Sequence, residues 1–289
     1  MKIAFLGIGS MGQRMCARLI DAGHQVTAWN RSAGPARNDV LPGARWAATP
    51  REAATGADLV VAMVANDDAS RSIWLDEDNG ALAAVGPQAV AVESSTVSPG
   101  WITALGQAAQ RAGVRLIEAP VSGSLPQAEM GQLIYLASGD REAITQATPA
   151  LRCMGCEVHR VGALGTGALA KLATNTLLGV QVAAMAEVVG LLARSGVAAA
   201  PVIDALSATT VWSPAVGKVA ASMLAADYRP LFPVQLIHKD LQYMVDACGG
   251  PAGAPATEAT RQVFATAAAA GLGERHMTSV ATLYSGKRR

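Results

Sequence analysis

Lys2-Ile3-Ala4-Phe5-Leu6-Gly7-Ile8-Gly9-Ser10-Met11-Gly12 decides the fold. Residues 2–6 read as a short buried strand, and Gly7-Ile8-Gly9-Ser10-Met11-Gly12 follows it without a break. Residues 11–22 then carry helical periodicity through Met11, Met15 and Leu19, with Cys16 and Ile20 alongside, and Gly23 stands where a glycine cap ends a helix. Gln25-Val26-Thr27-Ala28-Trp29 is a second strand. Gly-x-Gly-x-x-Gly alone marks many turns, but between a strand and a helix it is the fingerprint of a dinucleotide-binding unit. The first glycine makes the turn, the second lets backbone approach a pyrophosphate, and the third lets helix and strand pack closely. The N–H groups at the helix start are left to bind phosphate.

A dinucleotide without a 2'-phosphate is usually held by an acidic residue at the end of the second strand, about 20 residues beyond the glycines. Asn30-Arg31-Ser32 occupies that place, with no carboxylate. A guanidinium and a hydroxyl suit a phosphate, so NADP(H) is the expected cofactor and NAD(H) the alternative. The plainer reading is a polar turn with Arg31 solvated.

Further apolar runs recur at the rhythm of alternating strands and helices. Strands are expected at residues 59–64, 89–92, 114–117, 133–137 and 157–161, and helices at 50–55, 68–75, 99–112 and 141–151, several behind Ser, Thr or Asp caps. A Rossmann-type, doubly wound sheet results, and on such sheets ligands bind beyond the carboxyl ends of the strands. Three polar segments fall at those ends: Met63-Val64-Ala65-Asn66-Asp67, Glu93-Ser94-Ser95-Thr96, and Glu118-Ala119-Pro120-Val121-Ser122-Gly123-Ser124. Ser, Gly and Pro are also what ordinary loops contain.

Past residue 162 the pattern changes. Gly165-Thr166-Gly167-Ala168-Leu169-Ala170-Lys171-Leu172-Ala173-Thr174-Asn175 opens a long helix in which only Lys171 and Glu187 carry charge between residues 163 and 193. A lone ammonium on an apolar element costs stability if it is buried without partners, so a sequence that keeps one there has a use for it. Lys171 and Asn175 are four apart and share a helix face. Helical patterns follow at residues 201–207, 214–225, 234–247, 256–270 and 277–283, with no convincing strand. Two domains are expected: an α/β nucleotide-binding domain over residues 1–162, then an all-α domain over residues 163–289, joined by the long helix.

Composition excludes several classes of function. The chain has 289 residues, 51% of them hydrophobic, with a net charge of +1, which fits a globular protein and gives no basic face for nucleic acid or acidic membranes. Lys287-Arg288-Arg289 reads as a frayed end. Cys16, Cys153, Cys156 and Cys248 are too few and scattered for a disulfide scaffold, so a reducing cytoplasmic setting is expected, and the Cys153/Cys156 spacing finds no second ligand pair. His24, His159, His238 and His276 show no metal spacing, and no targeting segment is read at the N-terminus. Residues 176–193 tempt a membrane assignment, yet Gln181 and Glu187 interrupt them, and a buried helix of a soluble protein is the expectation. That helix is apolar nearly all round, which a small bundle cannot easily bury alone, so a homodimer or homotetramer is expected.

Taken in order, these motifs resemble the β-hydroxyacid dehydrogenase family, which includes 3-hydroxyisobutyrate dehydrogenases and glyoxylate or succinic semialdehyde reductases. Gly7-Ile8-Gly9-Ser10-Met11-Gly12 with Ala22-Gly23-His24 is similar to the family's cofactor segment, and Ala119-Pro120-Val121-Ser122-Gly123 to its substrate segment. Gly165-x-Gly167-x-x-x-Lys171-x-x-x-Asn175 is similar to its catalytic segment, and His238-Lys239-Asp240-Leu241 to its late Lys-Asp pair. The resemblance implies that Lys171 is the general acid or base, that Ser122, Gly123 and Asn175 hold a small carboxylate-bearing substrate, and that Thr96 and Lys239 lie against the cofactor with Met63 and Val64. It also implies that Phe232 and Asp240 line the site. Ser124, expected with Ser122 and Gly123 to help set the substrate, departs from the family, which commonly has a second glycine there.

Three rivals stand beside this reading. An imine or ketimine reductase shares the fold but usually lacks the lysine, and a non-catalytic dinucleotide-binding module would have lost its proton donor. Lys171 argues against both. A 6-phosphogluconate dehydrogenase normally has a longer helical domain and a His beside the catalytic Asn, whereas position 174 here is Thr.

Overall fold

Strand β1 (Lys2–Leu6) shows why the first half forms a sheet covered on both faces: Ile3 and Phe5 enter one apolar cluster, and Ala4 and Leu6 enter another. β4 (Leu59–Ala62) and β5 (Val90–Glu93) divide their apolar side chains in the same way, as strands buried on both faces do. Each fully buried Leu, Ile, Val or Phe contributes roughly 1.5–3 kcal/mol. The computed structural model describes residues 1–32 and 41–284, and Lys287-Arg288-Arg289 lies outside the described residues. Two compact units make up the chain, Met1–Lys171 and Leu172–Arg289.

In the first unit, β2 (Gln25–Trp29), β3 (Arg45–Trp46), β6 (Arg115–Glu118), β7 (Val121–Ser122), β8 (Leu133–Gly139) and β9 (Gly155–Gly162) complete the sheet. Its order is β3-β2-β1-β4-β5-β6-β8-β7, with β9 paired to β8. Pairing is parallel from β3 to β6; β8 runs antiparallel to β6 and β7. The register puts Trp29, Leu6, Ala62, Glu93 and Glu118 in one row across the sheet. The segments expected to bind ligand therefore leave the sheet along a common edge. Helices α1 (Ser10–Asp21), α2 (Pro50–Ala54), α3 (Asp67–Leu75), α4 (Pro99–Arg111), α5 (Leu125–Glu129) and α6 (Arg141–Met154) connect the strands. Side-chain caps from Thr49, Asn66, Ser98 and Asp140 start four of them.

The expected elements stand, with ends displaced by a few residues. The two-residue β3 carries no periodicity and is an addition to the expected strands. The stretch beyond Glu118, read as one polar segment, holds β7 and α5.

Helix α7 (Thr166–Arg194) begins in the first unit and continues into the second. It is long and apolar enough to cross a membrane by length and composition, but Val182, Met185 and Ala186 belong to the core of the second unit, the packing of a helix within a folded domain. That unit continues through α8 (Ala199–Ser207), α9 (Pro214–Leu224), α10 (Val234–Ala247) and α11 (Pro255–Ala267), and closes on a 3-10 turn over Met277–Tyr284. The expected run to residue 270 stops being regular at Ala267, because Gly271 takes φ +82° in a wider turn. Ile237, Leu241, Phe264 and Val280 are fully buried at the centre of its core.

Candidate active site

The glycine turn separates what the fold requires from what a ligand requires. Gly7 has φ +102°, and a Cβ there would lie 2.3 Å from the Met63 carbonyl oxygen; at Gly12 it would lie 2.0 Å from the Gly7 oxygen. Both glycines are demanded by the protein's own packing. Among the described residues, a Cβ on Gly9 would meet nothing within 4 Å. Gly9 is the N-cap of α1, no side chain among the described residues caps that helix, and its first turn, from Ser10 through half-buried Met11, has no acid. Open space against uncapped N–H groups at the positive end of a helix fits a pyrophosphate.

Asn30 brackets the turn. Its Oδ1 accepts from Ile8 N at 3.2 Å and its Nδ2 donates to the Ser32 oxygen at 3.3 Å, while Gly7 N donates to the Trp29 oxygen at 2.9 Å. Arg31 and Ser32 are exposed beyond it. Asn30, expected among the cofactor contacts, holds the backbone of the turn through its amide.

The neighbouring loops hang on Glu93, which is fully buried. Its Oε1 accepts from Ser95 N at 2.9 Å, and its Oε2 accepts from Trp74 Nε1 at 2.9 Å and from the Ser70 hydroxyl in a short hydrogen bond. Ser95 Oγ in turn accepts from Val64 N at 2.8 Å, and Ser70 Oγ from Trp101 Nε1 at 2.8 Å. Val64 is thereby tied to the segment that continues into half-buried Thr96. Burial pushes the Glu93 carboxyl above the usual glutamate range, against the opposing pull of its hydrogen bonds from Ser70, Ser95 and Trp74.

In the substrate segment, half-buried Ser122 pairs across the sheet with Ile134. Gly123 has φ +130°, and a Cβ there would lie 2.8 Å from Leu133 Cδ2. Ser124, at φ −120° and ψ −169°, has a backbone any residue adopts. Its N–H and hydroxyl donate to Gln127 Oε1 at 3.0 and 2.7 Å. The departure from a second glycine is thus absorbed as a helix cap.

The start of α7 is built on Glu118, 1% exposed. Its Oε1 accepts from Gly167 N at 2.9 Å and, in short hydrogen bonds, from Gly165 N and the Ser138 hydroxyl; its Oε2 accepts from Ala168 N at 2.9 Å. Gly165 has φ +100°, and a Cβ on Gly167 would lie 2.7 Å from the Leu136 oxygen and 3.0 Å from Glu118 Cγ and Cδ. Lys171, one turn further along the helix, is 8% exposed. Glu93 and Glu118 stand in segments that read from the sequence as polar loops. The signal that marks them is their place as the last residue of a strand directly after apolar residues, Val90-Ala91-Val92 before Glu93 and Leu116-Ile117 before Glu118, where a carboxylate is rarely buried without partners.

In the second unit, Asn175 and Asp240 are each 3% exposed, and Asn175 Nδ2 donates to Asp240 Oδ2 at 2.6 Å. Lys239 Nζ pairs with Asp240 Oδ1 at 2.9 Å and lies 4.7 Å from the Tyr243 ring centroid, a contact the sequence did not suggest. Phe232 is placed by other contacts: it packs against the helical core, and its N–H donates to His276 Nδ1 at 3.0 Å.

Residues 2–162 match the family model described as the NAD binding domain of 6-phosphogluconate dehydrogenase. Residues 165–284 match the one described as NAD-binding of NADP-dependent 3-hydroxyisobutyrate dehydrogenase. A 3-hydroxyisobutyrate dehydrogenase of Pseudomonas aeruginosa is 30% identical over 295 residues, covering 99% of each chain. The chain belongs to the β-hydroxyacid dehydrogenase family. An NAD-dependent L-serine dehydrogenase of the same organism is 32% identical over 247 residues, 83% of each chain. The solved Mycobacterium tuberculosis 3-hydroxyisobutyrate dehydrogenase with L-serine is 29% identical, has a TM-score of 0.88 and covers 99% of each chain. A Streptomyces aurantiacus imine reductase, 24% identical with a TM-score of 0.66 over 98% of this chain and 99% of its own, shares the fold alone. As a β-hydroxyacid dehydrogenase, this chain is an oxidoreductase that uses a nicotinamide dinucleotide.

Proposed function

We propose that the protein transfers a hydride between NADP(H) and a small β-hydroxyacid or its semialdehyde or 2-oxoacid counterpart, with Lys171 as general acid and base. The observation that carries this reading is the near-complete burial of Lys171 one turn beyond a helix start fastened to the strand that leads into Ser122. Burying an ammonium is costly, and proton transfer is the use that this family's chemistry has for it.

Gly9 and the first N–H groups of α1 would hold the pyrophosphate, with Arg31 and Ser32 on the 2'-phosphate and Met63, Val64 and Thr96 beside the ring. Bound there, the nicotinamide supplies or takes up the hydride. Lys171 as ammonium donates a proton to the substrate oxygen in the reductive direction, and its neutral amine accepts one in the oxidative direction. The Ser122 hydroxyl and Gly123 N–H hold the carboxylate, and Asn175, fixed by Asp240, orients the substrate hydroxyl. A homodimer or homotetramer is part of the proposal, supported by Leu169, Leu177 and Leu191, which stand 49%, 67% and 56% exposed along α7; a monomeric mass by light scattering would contradict it.

The test is a spectrophotometric panel with NADPH and NADH separately. Glyoxylate, succinic semialdehyde, tartronate semialdehyde and a cyclic imine are reduced; 3-hydroxyisobutyrate and L-serine are oxidised with the corresponding NADP+ and NAD+. Turnover of a carbonyl or hydroxyacid, faster with the phosphorylated cofactor, is expected. Equal or faster turnover with NADH and NAD+ overturns the cofactor assignment. Turnover of the imine alone overturns the substrate class, and tight cofactor binding with no turnover overturns the catalytic reading.

A further inference from the structure

We propose that Glu118 is a positioning residue for Lys171, fixing the start of the lysine-bearing helix against the strand that leads into the substrate segment. This rests on Lys171 being the proton donor and acceptor.

All of Glu118's partners are donors: Gly165 N, Gly167 N, Ala168 N and the Ser138 hydroxyl. An ionised carboxylate is acceptor-only and satisfies all four, and the first N–H groups of a 29-residue helix are what an anion is drawn to. Burial pushes its carboxyl above the usual range, opposed by the Ser138 hydroxyl and the three backbone N–H groups. The Ser138 hydroxyl also accepts from Gly167 N at 3.1 Å, so β6, β8 and α7 meet at one carboxylate. The backbone partners lie 47 to 50 residues along the chain from Glu118. The contact is therefore a tertiary anchor.

Geometry makes it a lever on the chemistry. Ser122 follows Glu118 by four residues, and Lys171 follows Ala168 by three. At about 1.5 Å of rise per residue, the lysine Cα is roughly 4.5 Å along the helix from the anchored N–H, less than one turn. Little structure intervenes to absorb a shift. No space is spare either, since a Cβ on Gly167 would already press on Glu118 Cγ and Cδ. A misplacement of about 1 Å costs on the order of a hundredfold in rate.

The experiment compares E118Q with K171M and wild type in the full-length protein, reading kcat, KM and NADPH dissociation constant for the best substrate of the panel. The side-chain amide introduced by E118Q would present its amino group to at least one of the backbone donors. A kcat lower by roughly tenfold to a hundredfold is expected, with the NADPH dissociation constant within about twofold of wild type. A merely structural role would lower thermal stability and leave kcat per folded site unchanged, which overturns the proposal. Should E118Q not fold, S138A removes the shared hydroxyl and is expected to lower kcat in the same direction by about threefold to tenfold; a wild-type kcat there overturns it equally. If K171M keeps full turnover, the general acid reading itself falls; if K171M is inactive while E118Q turns over normally, only the role of Glu118 falls.

Discussion

Replacing Gly9 and Gly12 separately by Ala should weaken cofactor binding in both cases but stability only at Gly12, because the two glycines meet different surroundings. At Gly12 the added carbon would sit 2.0 Å from the Gly7 oxygen and 3.2 Å from Phe5 Cε1, so α1 must retreat by about 1 Å to reach even a tight contact. The obstacle is backbone, and overpacking of this kind costs about 1–3 kcal/mol of stability. At Gly9, with φ −84° and ψ −169°, alanine fits the backbone and meets no atom of the described residues within 4 Å. Losing a glycine N-cap for alanine costs no more than about 1 kcal/mol. The methyl instead occupies the space left open for the pyrophosphate. Loss of one charge-assisted hydrogen bond, about 1.5–3 kcal/mol, corresponds to a dissociation constant raised roughly tenfold to a hundredfold. Thermal unfolding without cofactor and fluorescence titration with NADPH separate the two effects. G9A is expected to melt near wild type and bind poorly, and G12A to lose both stability and binding. A G9A protein that binds NADPH as wild type does would refute the placement of the pyrophosphate.

Three further outcomes are expected. R31A should raise the KM for NADPH roughly tenfold and leave that for NADH unchanged, since a guanidinium on a phosphate is worth about 1.5 kcal/mol or more; equal changes for both cofactors would contradict this. The raised Glu93 carboxyl binds its proton more tightly folded than unfolded, so its contribution to stability is full below the ordinary glutamate value and is lost as pH climbs through the raised folded value. E93Q, which also leaves the Ser95 N–H short of an acceptor at about 1–3 kcal/mol, should therefore show a flatter fall of unfolding free energy as pH rises above the ordinary glutamate value, and an unchanged slope measured by denaturant titration counts against it. S124G should cost a few tenths of a kcal/mol and leave the order of substrate preference as it is, because the Ser124 hydroxyl is directed to Gln127; a reordered substrate panel would show otherwise.

Much of the fold could be read from the sequence because its signals are local. Lys2–Leu6, the glycine turn and α1 are adjacent in the chain, and the apolar runs of β4, β5 and β8 are bounded by caps such as Asn66 and Asp140 that act within three residues. Where elements are short, periodicity has no room to show: β3 and β7 have two residues each, and α5 has five. The candidate site divides along the same line. The glycines, Lys171 and Asn175 follow from spacing on a single element. The bracket formed by Asn30, and the anchors at Glu93 and Glu118, join residues 19 to 50 apart, and nothing in a run of Ser, Gly and Pro distinguishes a buried carboxylate from a solvated one. Asp240 was legible as a neighbour of Lys239, yet its bond to Asn175 spans 65 residues and follows only from the packing of α10 beside α7 in the second unit.

The proposed chemistry turns on Lys171 moving the proton. It is tested most directly by kcat of K171M beside its NADPH dissociation constant. General acid and base catalysis contributes about a hundredfold to ten-thousandfold. K171M is expected to lower kcat by at least about a hundredfold with cofactor affinity within about twofold of wild type. A K171M enzyme that turns over within about tenfold of wild type would contradict it.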